Sequence, residues 1–358
     1  MPQDRIRVAV IYGGMSTEHS ISCISAAAVM GHLDREVYDV IPVGITASGT
    51  WTVGVDDPTA GCAPGTLPQV PDDGQEITLS PAPARRGQLC HADGTVWQQV
   101  DVIFPVLHGP FGEDGTIQGL FELSGVPYVG NGVLASACSM DKEYTKKISA
   151  AAGLPVTPEV VVRDRGQLSD KDQQRLGLPV FVKPARGGSS IGVSKVTDWS
   201  AVPAAIDAAL AVDSKAIVEA EVVGKEVEVG VLEYPDGRVV ASAPALLQGT
   251  GDSPEGFYGF DTKYLDNVVS AQIPADLPDE TIRQLQEMAV RTFHALDCRG
   301  LARVDFFVTD SGPVLNEINT MPGFTAVSMY PQVFAAGGVD YAQLLDIMVR
   351  TALNAPRR

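Results

Sequence analysis

The stretch 302-ARVDFFVTDSGPVLNEINTMPGFT-325 reads as two apolar strands joined through Asp310-Ser311-Gly312 and ended by Pro322-Gly323. A three-residue hairpin loop with glycine in the left-handed position suits the connection. If Thr309 and Pro313 close that loop, Asp305 lies opposite Glu317 and Arg303 opposite Asn319. Side chains alternate with period two, so all four share a face. Carboxylates facing each other across adjacent strands repel, and burial makes the repulsion worse. Two arrangements relieve it. One is a polar, solvent-facing side of an edge hairpin. The other is a divalent cation held between carboxylate and amide oxygens, a donor set that suits Mg²⁺ completed by water and phosphate oxygens.

Composition narrows the class. The chain has 358 residues, which suggests two or three domains. Apolar residues make up 45% and charged residues 20%, a globular composition. No run approaches the ~18 apolar residues of a membrane span. MPQDRIRVAVIYGG runs straight into an apolar strand without the order of a signal peptide, so the expectation is a soluble, cytoplasmic protein with no membrane partner. The net charge of −18 argues against a nucleic-acid partner. A few lysines focused in a cleft would still hold an anionic ligand. Five cysteines, widely spaced and with no C-x-x-C, read as reduced thiols and not as a zinc site.

RVAVIYGG (7–14), a helix over 16–33 capped by Ser16 or Thr17, and YDVIPVGI (38–45) open the chain as β-α-β, which predicts a parallel sheet. Residues 50–95, rich in Pro, Gly, Asp and Thr, read as an irregular surface insertion with a short strand or two. A buried strand (100–109), a helix (116–125), a short strand (126–130) and a helix (136–153) follow, with a domain boundary near 140. Alternating strands from 224, a long loop over 249–268, a helix at 278–297 and a terminal helix at 340–354 complete the chain.

LPVFVKPARGGSSIGVSKV (178–196) is strand, Gly-rich loop, strand. Such a loop can lay backbone N–H groups on phosphate oxygens, or it can simply be a turn. It matches neither Walker A nor a Rossmann fingerprint, because a strand follows it and not a helix. Lys183 ends the strand before the loop; Lys142, near a helix start, is either a second phosphate contact or a solvated surface lysine.

Seven blocks in order (YGGMSTEHSIS, LHGPFGEDGTIQG, GVLASACSMDK, VKPARGGSSIGVSKV, FDTKYL, LARVDFF and NEINTMPGFTAVS) resemble the signature blocks of the D-alanine–D-alanine ligases, within the ATP-grasp superfamily. The resemblance covers nearly the whole chain and leaves the 50–95 insertion poorly matched. It implies an α/β (α+β) ATP-grasp fold of three domains: a parallel α/β domain over 1–140, a central lid over 141–222, and a C-terminal domain over 223–358 with the metal and substrate sites. ATP would lie between the second and third. The implied reaction joins two D-alanines through an acyl phosphate, with D-alanine and ATP as small-molecule partners, and the family is usually dimeric. A D-lactate-using ligase or another ATP-grasp carboxylate–amine ligase is the alternative.

The resemblance also implies roles. Asp305, Glu317 and Asn319 would bind two Mg²⁺ ions, with Mn²⁺ as a possible substitute. Lys142, Lys183 and the lid loop at Ser189 and Ser190 would hold phosphates. Arg303 would stabilise the oxyanion of the tetrahedral intermediate. Glu18, in a triad with Ser189 and Tyr264, would receive the first substrate's ammonium, with His108 nearby. Gly323, Ser328 and Met329 would meet the second substrate. Glu219 would bind ribose, with Glu226 in the same pocket, and Lys263 and Asn316 would line the nucleotide and substrate sites. Two positions depart from the family. Ala220 stands where a lysine often contacts adenine, leaving backbone near Glu221 and Val222 to read the base, and Phe260 stands where some relatives have tyrosine. Tyr264 fits ligases that make a dipeptide, since those that make a depsipeptide tend to carry phenylalanine there.

Overall fold

The computed structural model describes residues 5–63, 65–166, 168–188, 191–249, 270–325 and 327–355. Ser189, Ser190, Phe260, Lys263, Tyr264 and nearly all of the expected 249–268 loop lie outside the described residues.

The first strand, β1 (Ile6–Gly13), leads through α1 (His19–His32) to β2 (Tyr38–Ile45) and β3 (Trp51–Val53). β4 (Ile77–Leu79), β5 (Gln88–His91), β6 (Val96–Gln99) and β7 (Val102–Val106) follow, then α2 (Thr116–Ser124). The expected parallel sheet is present: β1 runs parallel to both β2 and β7, in the order β3-β2-β1-β7. β1 is apolar almost throughout because both faces of such a strand are covered. The insertion is more regular than its composition suggests, since β4, β5 and β6 form their own antiparallel sheet.

The helix expected over 136–153 is two helices, α3 (Val133–Met140) and α4 (Lys142–Ala151). Asp141 breaks them with extended backbone and caps α4, its carboxylate accepting from the N–H groups of Glu143 and Tyr144. Ser16, expected as a cap of α1, instead accepts from Glu18 N–H at 2.9 Å and donates to the His108 carbonyl at 2.7 Å. That places Glu18 itself at the N-cap position.

A second sheet, in the order β10-β9-β11-β8, is antiparallel throughout. It comprises β8 (Glu159–Val162), β9 (Val180–Pro184), β10 (Ser194–Val196) and β11 (Ala216–Ala220), with α5 (Asp170–Leu176) and α6 (Val202–Val212) between them. α5 carries one buried residue, Leu176, and no strong periodicity in the sequence marked it. The largest sheet runs β15-β14-β12-β16-β17, with β13 alongside β12. Its strands are β12 (Lys225–Glu233), β13 (Val239–Ala241), β14 (Ala245–Gln248), β15 (Ser270–Gln272), β16 (Leu301–Thr309) and β17 (Gly312–Asn319). α7 (Asp279–Ala295) packs Leu285, Met288 and Phe293 onto one face. α8 (Met329–Ala336) and α9 (Tyr341–Asn354) cover the other, and their apolar side chains share a core with β1, α1 and β7.

Candidate active site

The β16–β17 hairpin keeps the expected pairs, Arg303 opposite Asn319 and Asp305 opposite Glu317, but by a different route. The loop is two residues, with Thr309 paired to Gly312, and not three. That register alone would set Asp305 against Asn316. A bulge beyond Phe306–Leu315 takes up Asn316 and restores the pairing.

Arg303 lays its guanidinium on Asp305, Nε and Nη2 donating to the two carboxylate oxygens at 2.8 and 2.7 Å, and lies 3.2 Å from the buried Glu228. Burial works against the guanidinium's charge, yet Asp305 and Glu228 raise its pKa well above the usual value, so it is always a cation. Lys142 sits 3.8 Å from Glu317 and donates to the Gly187 carbonyl at 2.8 Å. Its own N–H donates to Ala185, which ties the start of α4 to the chain leaving β9.

A cleft brings together Glu18, His108, Lys142, Arg303, Asn316, Glu317, Asn319, Gly323, Ser328 and Met329. These residues come from widely separated parts of the chain. The Glu18 carboxylate reaches both Gly-rich segments: a Cβ on Gly109 would lie 2.7 Å from its Oε2, and one on Gly188 3.4 Å away. His108 is buried, with Nδ1 3.1 Å from the Met321 carbonyl and 3.5 Å from Glu113, and Nε2 3.2 Å from Ser25 Oγ. Burial opposes the imidazolium, but Glu113 and Glu18 raise its pKa; burial also pushes Glu113 up. Ser328 Oγ accepts from Thr325 N–H at 2.9 Å and lies beside Gly323, where a Cβ would approach it to 2.9 Å.

Lys183, Glu219, Glu221, Val222, Glu226 and Asp305 do not line this cleft. Lys183 and Glu219 are paired at 2.5 Å on neighbouring strands, and Lys146 from α4 reaches the same carboxylate. Burial disfavours the Glu219 charge, but the two lysines override it and bring its pKa down to about 2. Glu221 pairs with Lys195 at 2.7 Å, and its N–H donates to the Pro179 carbonyl. Strand pairing therefore occupies one of the backbone groups expected to read the base. Glu226 on β12 stands opposite Phe307 on β16.

Four residues beside the site had no role in the sequence reading. Glu113 lies within the quoted GEDG block, and Glu228 shows in the alternation of KEVEVGV. Lys146 follows Lys142 by one helical turn. Glu159 carried no signal, since only the sheet order places it beside Lys146.

The hairpin's chemistry fits a hard cation. Asp305, Glu317 and Asn319 offer oxygen donors alone, and each carboxylate oxygen engaged by Arg303 keeps a second lone-pair direction. Among the described residues no group of three or more His, Cys, Asp or Glu side chains forms a complete metal cage. An ion here would need ligands from outside the protein, as Mg²⁺ on phosphate usually has.

Residues 7–131 match the family described as D-ala D-ala ligase N-terminus, and 148–350 the D-ala D-ala ligase C-terminus. A D-alanine–D-alanine ligase of Corynebacterium efficiens is 62% identical over 351 residues, covering 98% of this chain and 97% of the relative. One from Nocardia farcinica is 56% identical over 355 residues, covering 98% of each. Among solved structures, the D-alanine-D-alanine ligase from Coxiella burnetii superposes with a TM-score of 0.84 at 31% identity, covering 98% of this chain and 94% of that one. The VanG D-Ala:D-Ser ligase from Enterococcus faecalis gives 0.83 at 34%, covering 98% and 100%. The sheets and helices are those of the α+β ATP-grasp ligases. The chain belongs to the D-alanine–D-alanine ligase family. Membership implies ATP and a divalent metal.

Proposed function

We propose that this protein ligates two D-alanines to D-alanyl-D-alanine at the expense of ATP, for peptidoglycan precursor synthesis. The supporting observation is the cleft that unites the Glu18 carboxylate, the Lys142 ammonium, the Arg303 guanidinium and the Gly323–Ser328 turn. A zwitterionic amino acid needs a carboxylate for its ammonium and donors for its own carboxylate, and this cleft offers both. Glu18 takes the ammonium of the first D-alanine. That substrate's carboxylate attacks the γ-phosphate, the bond to the β–γ bridging oxygen breaks, and an acyl phosphate and ADP result, with Lys142 and Lys183 neutralising phosphate charge. The amine of the second D-alanine, held through its carboxylate by the Gly323–Ser328 turn, adds to the acyl carbon. Arg303 stabilises the oxyanion, and phosphate leaves.

Two Mg²⁺ ions held by Asp305, Glu317 and Asn319 would neutralise charge on the transferring phosphoryl group. In this reading Ser189, Ser190, Lys263, Tyr264 and Asn316 complete the substrate and nucleotide contacts. Glu219 and Glu226 face the ribose, and backbone near Glu221 and Val222 faces the base. We read the chain as three domains, 1–140, 141–222 and 223–358, forming a cytoplasmic homodimer.

The test is phosphate release from ATP with D-alanine, against L-alanine, D-serine and D-lactate as acceptors, for wild type and Glu317→Gln. D-alanine should be the preferred acceptor, and the variant should fall by about 100-fold or more. No turnover with D-alanine, or an unimpaired Glu317→Gln, would end the proposal.

A further inference from the structure

A largely buried cluster of two lysines and two glutamates lies among the residues that do not line the cleft. Glu219 on β11 receives Lys183 from β9 at 2.5 Å and Lys146 from α4. Lys146 also lies 3.3 Å from Glu159 on β8. Lys146 is 3% exposed and Glu219 5%, so neither group can turn to water for compensation.

The cluster is balanced only while Lys183 stays on Glu219. In the function proposed above, on which this inference rests, Lys183 turns to the nucleotide's phosphates. The buried Glu219 carboxylate would then face a polyanion with one cation fewer. Lys146 is instead held from α4 between Glu159 on β8 and Glu219 on β11.

We infer that Lys146 is a positioning residue for the nucleotide: it holds Glu219 ionised and in place so that Lys183 is free to engage phosphate. Glu219 then presents a fixed acceptor to the nucleotide's hydroxyl groups, an interaction available only to the ionised, correctly aimed carboxylate. Glu159 opposes this by drawing on the same ammonium. Burial raises the Glu159 pKa despite Lys146. The groups facing Glu219 are therefore Lys146, Lys183 and Glu159, and Lys183 in turn feels Glu317 from β17.

The test is steady-state kinetics and titration with a fluorescent ATP analogue across pH for three variants. Lys146→Met should raise the KM for ATP by about 10-fold or more, with kcat and the KM for D-alanine within about twofold. Without Lys146 the Glu219 carboxylate is harder to ionise, so nucleotide binding should be lost at higher pH on acidification than in wild type. Lys146→Arg, which keeps the charge, should recover most of the affinity. Glu159→Gln removes the competitor, so the ATP KM should stay level or fall.

An unchanged ATP KM and pH profile in Lys146→Met would overturn the inference, as would kcat falling in step with thermal stability. A rise in ATP KM for Glu159→Gln would also overturn it, and that variant decides the matter if Lys146→Met does not fold. Wild-type turnover with D-alanine keeps the two claims apart. Its absence removes the ligase reading, whereas turnover with an unaffected Lys146→Met removes this inference alone.

Discussion

Gly323 shows how little room the turn at the proposed second-substrate site leaves. A methyl group there would approach Ser328 Oγ to 2.9 Å, closer than real Cβ contacts allow. The hydroxyl would have to rotate away and give up its bonds to Thr325 N–H at 2.9 Å and Thr325 Oγ1 at 2.8 Å. Gly323→Ala is therefore expected to raise the KM for the second D-alanine by about 10-fold, or ~1.4 kcal/mol, while leaving the KM for ATP unchanged. Initial rates at saturating ATP over a range of D-alanine concentrations measure it. Equal losses on both substrates would place the defect elsewhere. Glu18 and Arg303 were legible from the quoted blocks because their neighbours are diagnostic. Glu159 was not, since a lone acid on a short strand looks like any solvated edge residue until sheet order sets it beside Lys146.

At the scale of the element, α4 carries both Lys142 and Lys146, so its start has to be fixed. Asp141 does this twice: it caps the helix and accepts from the buried Lys215 ammonium at 2.6 and 2.5 Å. Lys215 also reaches Glu143 at 2.7 Å, so it keeps one partner when Asp141 is lost. Asp141→Ala removes a cap worth about 1 kcal/mol and one partner of a buried ion pair. A total loss of about 3 kcal/mol is expected, read as a lowered thermal midpoint, with the ATP KM rising as α4 frays. Asp141→Asn keeps the cap and should lose less; equal losses would mean that the ion pair dominates. The sequence showed one helix where there are two, because no Pro or Gly interrupts 136–152 and the pull of Lys215 on Asp141 is tertiary. The β16–β17 hairpin taught the opposite lesson. Its pairing of Arg303 with Asn319 and of Asp305 with Glu317 was correct in sequence while its turn was wrong, and the Asn316 bulge reconciles the two.

Across the whole molecule, buried acids paired with lysines govern the response to acid. Glu219 lies at about 2 because two lysines outweigh its burial, and Glu143 at about 2 because Lys147 and Lys215 outweigh its own. A carboxylate depressed in the folded state adds stability that is full above its unfolded pKa and is lost as pH falls through the folded one. Both contributions should therefore fade between about pH 4.5 and pH 2. Burial raises Glu113, which acts in the opposite direction: its contribution grows as it takes up a proton. Thermal midpoints measured from pH 7 down to pH 3 should fall most steeply below pH 4.5, and Glu143→Gln should flatten that fall. A variant as acid-sensitive as wild type would show that Glu143 is not among the groups responsible.

Strand periodicity, the β-α-β opening and the seven ordered blocks determined the fold class and many of the cleft's charged and polar residues from the sequence alone, because burial patterns and signature blocks are both local in the chain. The tertiary structure decided what depends on distant neighbours. It set the insertion into its own sheet, placed Glu113 against His108 and joined Lys146 to Glu219 and Glu159. Coulomb partners and desolvation act through space, so the charge state of a buried group follows from packing and cannot be read from its position along the chain.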